Sequence, residues 1–199
     1  MHWQRVYEQR APDTVSWYEP EAGGSLALIA EAGLSHDDRI LDVGGGASAL
    51  ARGLLHAGYS DITVADISSA ALERSMTELG ADADRVRWVE ADVREHDFGR
   101  RFALWHDRAF FHFMVDAGDR DAYLSNLRRT LDAGGHIVLA TFGPAGPSEC
   151  SGLPVSRYST PALTELLPDF ELVSSRPQLH HTPSGTAQQF LYAHLKRSS

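Results

Sequence analysis

The chain has 199 residues, 43% hydrophobic and 23% charged, enough for one α/β domain with its own core. Its 27 acids against 18 lysines and arginines leave a formal net charge of -9, which argues against a nucleic-acid partner, since such a partner needs a basic face. The one cysteine, Cys150, excludes an intramolecular disulfide and fits a reducing cytoplasm, no apolar run reaches the length of a membrane span, and the polar, aromatic start MHWQRVYEQR is not a secretory signal.

Residues 1–24 read as a polar segment with interleaved aromatics, Trp3, Tyr7, Trp17 and Tyr18. A short helix is expected over 25–32, ended by Gly33, and together these make a lid-like segment over 1–35, with a core over 36–199. RILDV (39–43) is a compact apolar strand that runs straight into Gly44, Gly45 and Gly46. A helix over 48–58 follows, with Leu50, Leu54 and Leu55 on one face. DITVAD (61–66) is the second strand, and 68–80 is a helix with a serine cap and a glycine stop. Strands are expected at 86–92 and 102–107. The leucines at 124, 127 and 131 predict a helix over 121–135 closed by Gly134 and Gly135, followed by a strand over 136–142. The Gly-, Pro- and Ser-rich stretch 143–159 reads as a long loop, with Cys150 in it exposed or half-buried and inert. A short helix over 161–167 and two late strands, 170–176 and 188–197, complete the chain, with His180 and His181 in the loop between those strands.

Strand–helix alternation implies a parallel sheet covered on both faces, and the last two strands fit an antiparallel edge hairpin. The expectation is a doubly wound α/β fold with a seven-stranded, mostly parallel sheet. In such a sheet ligands bind beyond the carboxyl ends of the strands. Those ends carry Asp42, Asp66, Asp92 and Asp107. LDVGGGASAL also fits a dinucleotide fingerprint through Gly44, Gly46 and Ala49, and Asp66, 66 − 42 = 24 residues after Asp42, would hold a ribose with either cofactor. A pyrophosphate, however, prefers donors and is repelled by carboxylates. An acid rim suits a ligand with a cationic centre, such as the sulfonium and ammonium of S-adenosylmethionine. One such contact at 4 Å is worth roughly 4 kcal/mol at a protein-surface dielectric, before desolvation.

In order along the chain, LDVGGGAS, VADIS, EADV and WHDRAFFHF resemble the motifs of the class I S-adenosylmethionine-dependent methyltransferases, over about residues 40–195. The resemblance implies a Rossmann-like domain, with Asp42, Gly44, Gly45, Gly46 and Ser48 at the cofactor turn; Ser48 replaces the family's last glycine. It implies Asp66 on the ribose hydroxyls and Ile67 against the adenine, Asp92 on the adenine amine and Val93 beside the ring. Asp107 falls at the fourth motif, with Arg108 where a lysine is usual, and would place the methionine part or steer the acceptor. Trp17 is expected to fold over the cofactor.

His106 and His112 are candidate general bases in an aromatic wall, with core packing as the plainer reading. Six residues apart and without a nearby cysteine, they do not have metal-ligand spacing. Tyr18, Arg157, Tyr158 and His180 are candidate acceptor contacts. The expected reaction is methyl transfer to a small-molecule thiol, hydroxyl or heterocycle, leaving S-adenosylhomocysteine, by a cytoplasmic monomer or homodimer without nucleic-acid or membrane partners. Ser48 and the Asp107 pattern keep a protein lysine open as the acceptor. A nicotinamide-dependent oxidoreductase and a non-catalytic cofactor-binding module stand as alternatives from other classes.

Overall fold

A computed structural model describes residues 2–198. Seven strands form one sheet in the order β3-β2-β1-β4-β5-β9-β8. These are β1 (Arg39–Val43), β2 (Asp61–Asp66), β3 (Val86–Glu90), β4 (Phe102–Arg108), β5 (Leu131–Phe142), β8 (Phe170–His181) and β9 (Ala187–Arg197). The first five run parallel to one another, β9 is antiparallel to β5, and β8 is antiparallel to β9. The strand order reverses between β1 and β4, so the turn after β1 opens at the switch point where ligands bind in such sheets. Among the described residues no helix is long and apolar enough to cross a membrane.

Successive side chains on a strand point to opposite faces, so a strand buried on both sides feeds two cores. Leu41, Trp105 and Ile137 pack on one face with Leu124 and Leu127 of α5 (Ala117–Thr130) and Leu163 of α6 (Thr160–Leu166). Ile40, Leu104 and Val138 pack on the other, with Leu28 and Ile29 of α2 (Gly23–Glu31), Leu50 and Leu54 of α3 (Leu50–His56) and Leu72 of α4 (Ser69–Leu79). Ser68 caps α4 as expected, accepting from the Ala71 N–H, and Gly80 follows it at φ 58.

Four elements depart from the sequence expectations. The stretch read as a polar segment carries a helix, α1 (His2–Gln9), which buries Val6 and Tyr7. The helix predicted over 121–135 ends at Thr130, and Leu131 already pairs with Phe102 in β5. Gly134, at φ 71, lies in the irregular stretch between that pair and Leu104–His136, so it shapes a strand distortion rather than stopping a helix. The long loop carries a two-stranded ribbon, β6 (Glu149–Cys150) with β7 (Leu153–Pro154), and Cys150 is buried rather than exposed. His180 and His181 end β8, paired with Gln188 and Ala187, instead of lying in a loop.

Beneath the sheet's ligand end, Trp105 Nε1–H donates to Tyr123 Oη at 2.8 Å, and that hydroxyl donates to Asp107 Oδ2 at 2.7 Å. All three residues are 1% exposed or less. Tyr123→Phe would leave Trp105 without an acceptor and Asp107 short of a donor, and is expected to lower unfolding free energy in urea by about 1–3 kcal/mol.

Candidate active site

The turn after β1 is shaped by close approaches. Gly44 has φ 64, and a Cβ there would lie 2.8 Å from Phe110 Cβ. Gly46 lies against Ala71 and donates its N–H to Asp66 Oδ2 at 3.0 Å; Ser68 N–H donates to Oδ1 at 2.9 Å. Burial nevertheless pushes the Asp66 carboxyl up to about 6, with a further push from the charge of Asp42. Asp42 is 1% exposed; its Oδ1 accepts from His106 Nδ1 at 2.6 Å, and its Oδ2 has no partner.

Beyond the strand ends lies a cavity of about 440 Å³, within the range of small-ligand sites. Gly44, Asp66, Ile67, Asp92 and Val93 line it from the ends of β1, β2 and β3. Trp3, Tyr7 and Trp17 line it from the N-terminal segment, and Arg108, Phe110, Phe113 and Met114 from the stretch after β4. Leu153 and Pro154 come from the β6–β7 ribbon. Trp3 meets Phe113 and Trp17 edge-on, at centroid distances of 4.8 and 5.7 Å. Arg94 grips both oxygens of Asp92 and also reaches Asp119; its guanidinium holds the Asp92 carboxyl below the ordinary range.

The segment carrying Trp17 is tied down by charge. Arg108 donates to Trp17 O at 2.8 Å and pairs with Glu19 at 2.7 Å, and His180 Nε2 meets Ser16 O at 2.7 Å. Burial opposes ionisation of Glu19, but His180 and Arg108 overcome it and hold its pKa below the usual value.

The structure gathers Gly44, Asp66, Ile67, Asp92, Val93 and Trp17 around the large cavity. Asp42, Gly45, Ser48 and His106 instead line a small adjoining recess, which Gly44 and Trp17 share. Gly46 lines neither, and serves Asp66 through its N–H.

The structure places the remaining candidates away from both spaces. Asp107 lines neither space: it is fully buried, accepts from the N–H groups of Phe110 and Phe111 and from Tyr123, and is pushed up to about 6 by burial. His112 is sealed too. It stacks on Phe142 at 4.2 Å, both its ring nitrogens lack partners, and burial lowers its pKa to about 3. Ala109, at φ 64, turns the chain off β4 so that Phe110 and Phe113 line the cavity while Phe111 and His112 enter the core. Tyr158 packs on Phe111 in the core, Arg157 is exposed near Pro144 and Gly146, and Tyr18 and His180 lie outside both spaces. His180 acts at one remove, by anchoring the segment that bears Trp17. The motifs do not point to Trp3, Tyr7, Arg94, Phe113 or Met114; the i,i+4 spacing of Trp3 and Tyr7 on a helix is the one signal for the first two.

Residues 40–135 match the family model of the methyltransferase domain. A stretch of 125 residues, 63% of this chain, is 23% identical to the eEF1A lysine and N-terminal methyltransferase of Mus musculus, and spans 16% of that protein's length. Two solved structures share the fold. One, from work on conversion of a disulfide bond into a thioacetal group during echinomycin biosynthesis, superposes with a TM-score of 0.77 at 20% identity, over 98% of this chain and 91% of that one. The other is the Burkholderia thailandensis 1,6-didemethyltoxoflavin-N1-methyltransferase with its acceptor and S-adenosylhomocysteine bound, at a TM-score of 0.71 and 21% identity, over 98% of this chain and 81% of that one.

The burial of His112 has a measurable consequence. With its pKa lowered to about 3 in the folded chain and near 6.5 when unfolded, the unfolded state binds more protons between these values. Its contribution to stability is therefore lost as pH falls through that window. Replacement by leucine removes both the titration and the unpartnered nitrogens, so thermal unfolding of His112→Leu should lose less from pH 7.5 to pH 5 than the wild type does.

Proposed function

We propose that the chain is a class I S-adenosylmethionine-dependent methyltransferase, a reading supported by the match of residues 40–135 to the methyltransferase domain, and that it methylates a small-molecule nucleophile held against the aromatic walls of the large cavity. The observation that carries this reading is one continuous cavity lined both by the carboxylate-bearing strand ends and by Trp3, Trp17, Phe110, Phe113 and Met114.

The residues present fit the cofactor. Asp66 keeps lone pairs for a ribose diol beyond the two N–H groups it accepts, and Ile67 and Val93 offer apolar surface to an adenine. Asp92 would share its carboxylate between the adenine amine and Arg94. When bound, S-adenosylmethionine supplies an electrophilic methyl carbon, which an acceptor lone pair takes in line as the carbon–sulfur bond breaks to leave S-adenosylhomocysteine. The 1–35 segment serves as a lid, with Trp3, Tyr7 and Trp17 excluding water from the reacting centre.

No base is poised for the acceptor among the described cavity residues. Asp66 is held by Gly46 and Ser68, Asp92 and Asp119 by Arg94, and Asp116 by the N–H groups that start α5. His112 and Asp107 are sealed in the core. An acceptor whose lone pair is already free, a thiolate or a heterocyclic nitrogen, therefore fits better than a hydroxyl or an ammonium. A protein lysine is the second reading, favoured by the activity named for the relative from Mus musculus. The match to the methyltransferase domain speaks against the nicotinamide alternative.

Turnover of labelled S-adenosylmethionine across thiols, heterocycles, phenols, amines and a lysine peptide tests the acceptor. Thiols and heterocycles should react fastest; turnover of the peptide alone would establish the second reading, and tight cofactor binding with no turnover would leave a binding module. Asp66→Asn should weaken S-adenosylhomocysteine binding by about 1–3 kcal/mol in calorimetry. The diol donates to the ionised carboxylate, and the Asp66 carboxyl titrates at about 6. Wild-type affinity should thus rise with pH through about 6 and level off above, and Asp66→Asn should lack that rise.

A further inference from the structure

Asp42, His106 and Ser25 form a closed chain of side chains beside the glycine turn. Asp42 and His106 are register partners on the neighbouring parallel strands β1 and β4, so their side chains share the face covered by α2. His106 Nδ1 lies 2.6 Å from Asp42 Oδ1, and His106 Nε2 lies 2.8 Å from Oγ of Ser25, in the first turn of α2. The three residues are 1%, 1% and 0% exposed.

A carboxylate oxygen accepts, so Nδ1 is the donor in the first bond; Nε2 bonds the Ser25 hydroxyl, which can donate or accept. Ser25 thereby locks the ring, and the ring locks Asp42. The order resembles a nucleophilic triad, but a fully buried Ser25 cannot attack a substrate. What the chain leaves over is Asp42 Oδ2, buried and without a partner. It lies under Gly45, beside a recess of about 30 Å³ that is also lined by Glu19 and Arg108. A buried carboxylate oxygen without a donor is costly, and a donor brought by a ligand would relieve it.

We infer that Ser25 and His106 are positioning residues, which hold Asp42 so that its free oxygen receives the cationic amino-acid end of the cofactor. The inference rests on the methyltransferase reading of the cavity. Neither residue touches the reacting atoms; both act through Asp42. Glu19 and Arg108, of opposite charge, bound the same recess and are complementary to a zwitterionic amino-acid group.

The test compares two ligands by calorimetry. S-adenosylhomocysteine carries the amino-acid end; methylthioadenosine has the same adenine, ribose and sulfur without it. His106→Leu should weaken S-adenosylhomocysteine about 10- to 100-fold, as expected for loss of a hydrogen bond to a charged group, and change methylthioadenosine by no more than about twofold. His106→Asn, whose amide can donate from nearly the position of Nδ1, should recover most of the loss. Ser25→Ala should show the same selectivity, at about 3- to 10-fold, and carries the test if His106→Leu does not fold. Equal losses for both ligands, or no loss for S-adenosylhomocysteine, would reduce the chain of side chains to packing and overturn the inference alone. Wild-type protein that bound neither ligand would overturn the methyltransferase reading of the cavity, and the inference with it.

Discussion

Three carboxylates buried at the ends of adjacent strands set the terms for the rest of the molecule. Asp66 ends β2, and Asp42 and Asp107 lie one residue before the ends of β1 and β4, at 6%, 1% and 0% exposure. A buried carboxylate without donors costs several kcal/mol, so each must be supplied from the surrounding chain. Each is supplied differently. Asp66 takes backbone N–H groups from the glycine turn and from the start of α4. Asp107 takes two from its own following turn and a hydroxyl from α5. Asp42 takes an imidazole from the next strand, and one of its oxygens receives nothing. The fully supplied carboxylate, Asp107, lines neither space, and the incompletely supplied Asp42 borders the small recess.

The cavity over these strand ends is completed by parts of the chain far apart in sequence. The stretch before α2 lies over the ends of strands it does not pair with, held by Arg108, Arg52 and His180 through the carbonyls of Trp17, Pro20 and Ser16. Arg108 is central to that closure: it bonds Trp17, Tyr192 and Glu19 together and lies 5.0 Å over the Phe190 ring. A lysine at this position could not make these several directed contacts with one planar group. Arg108 thus anchors the aromatic cover of the candidate site.

Much of the architecture was legible because it follows from local patterning. The expected bounds of β1 and β2 match the observed ones, since a short apolar run closed by a carboxylate and a turn signal leaves little freedom. The start of β5 was not legible. Leu131 continues the leucine spacing of α5, and only its pairing with Phe102 shows that the helix has ended. Asp66, Ile67, Asp92 and Val93 border the cavity as their strand-end positions imply. In the stretch after β4, however, four consecutive residues divide between cavity and core because of the single left-handed residue Ala109, which no side-chain pattern marks.

By itself the sequence determined a two-faced, mostly parallel sheet, a glycine turn at its switch point and a rim of acids above it, because strand periodicity and turn chemistry act over a few residues. Tertiary structure decided which polar side chains meet the cavity. The reason is that exposure of a carboxylate or an imidazole depends on where its donors come from, and these arrive from across the chain. Tyr123 closes off Asp107 from 16 residues away, and Ser25 fastens His106 from 81. Asp42 could be placed beside the glycines from its position in the strand; that one of its oxygens is held and the other left free is a property of the folded molecule alone.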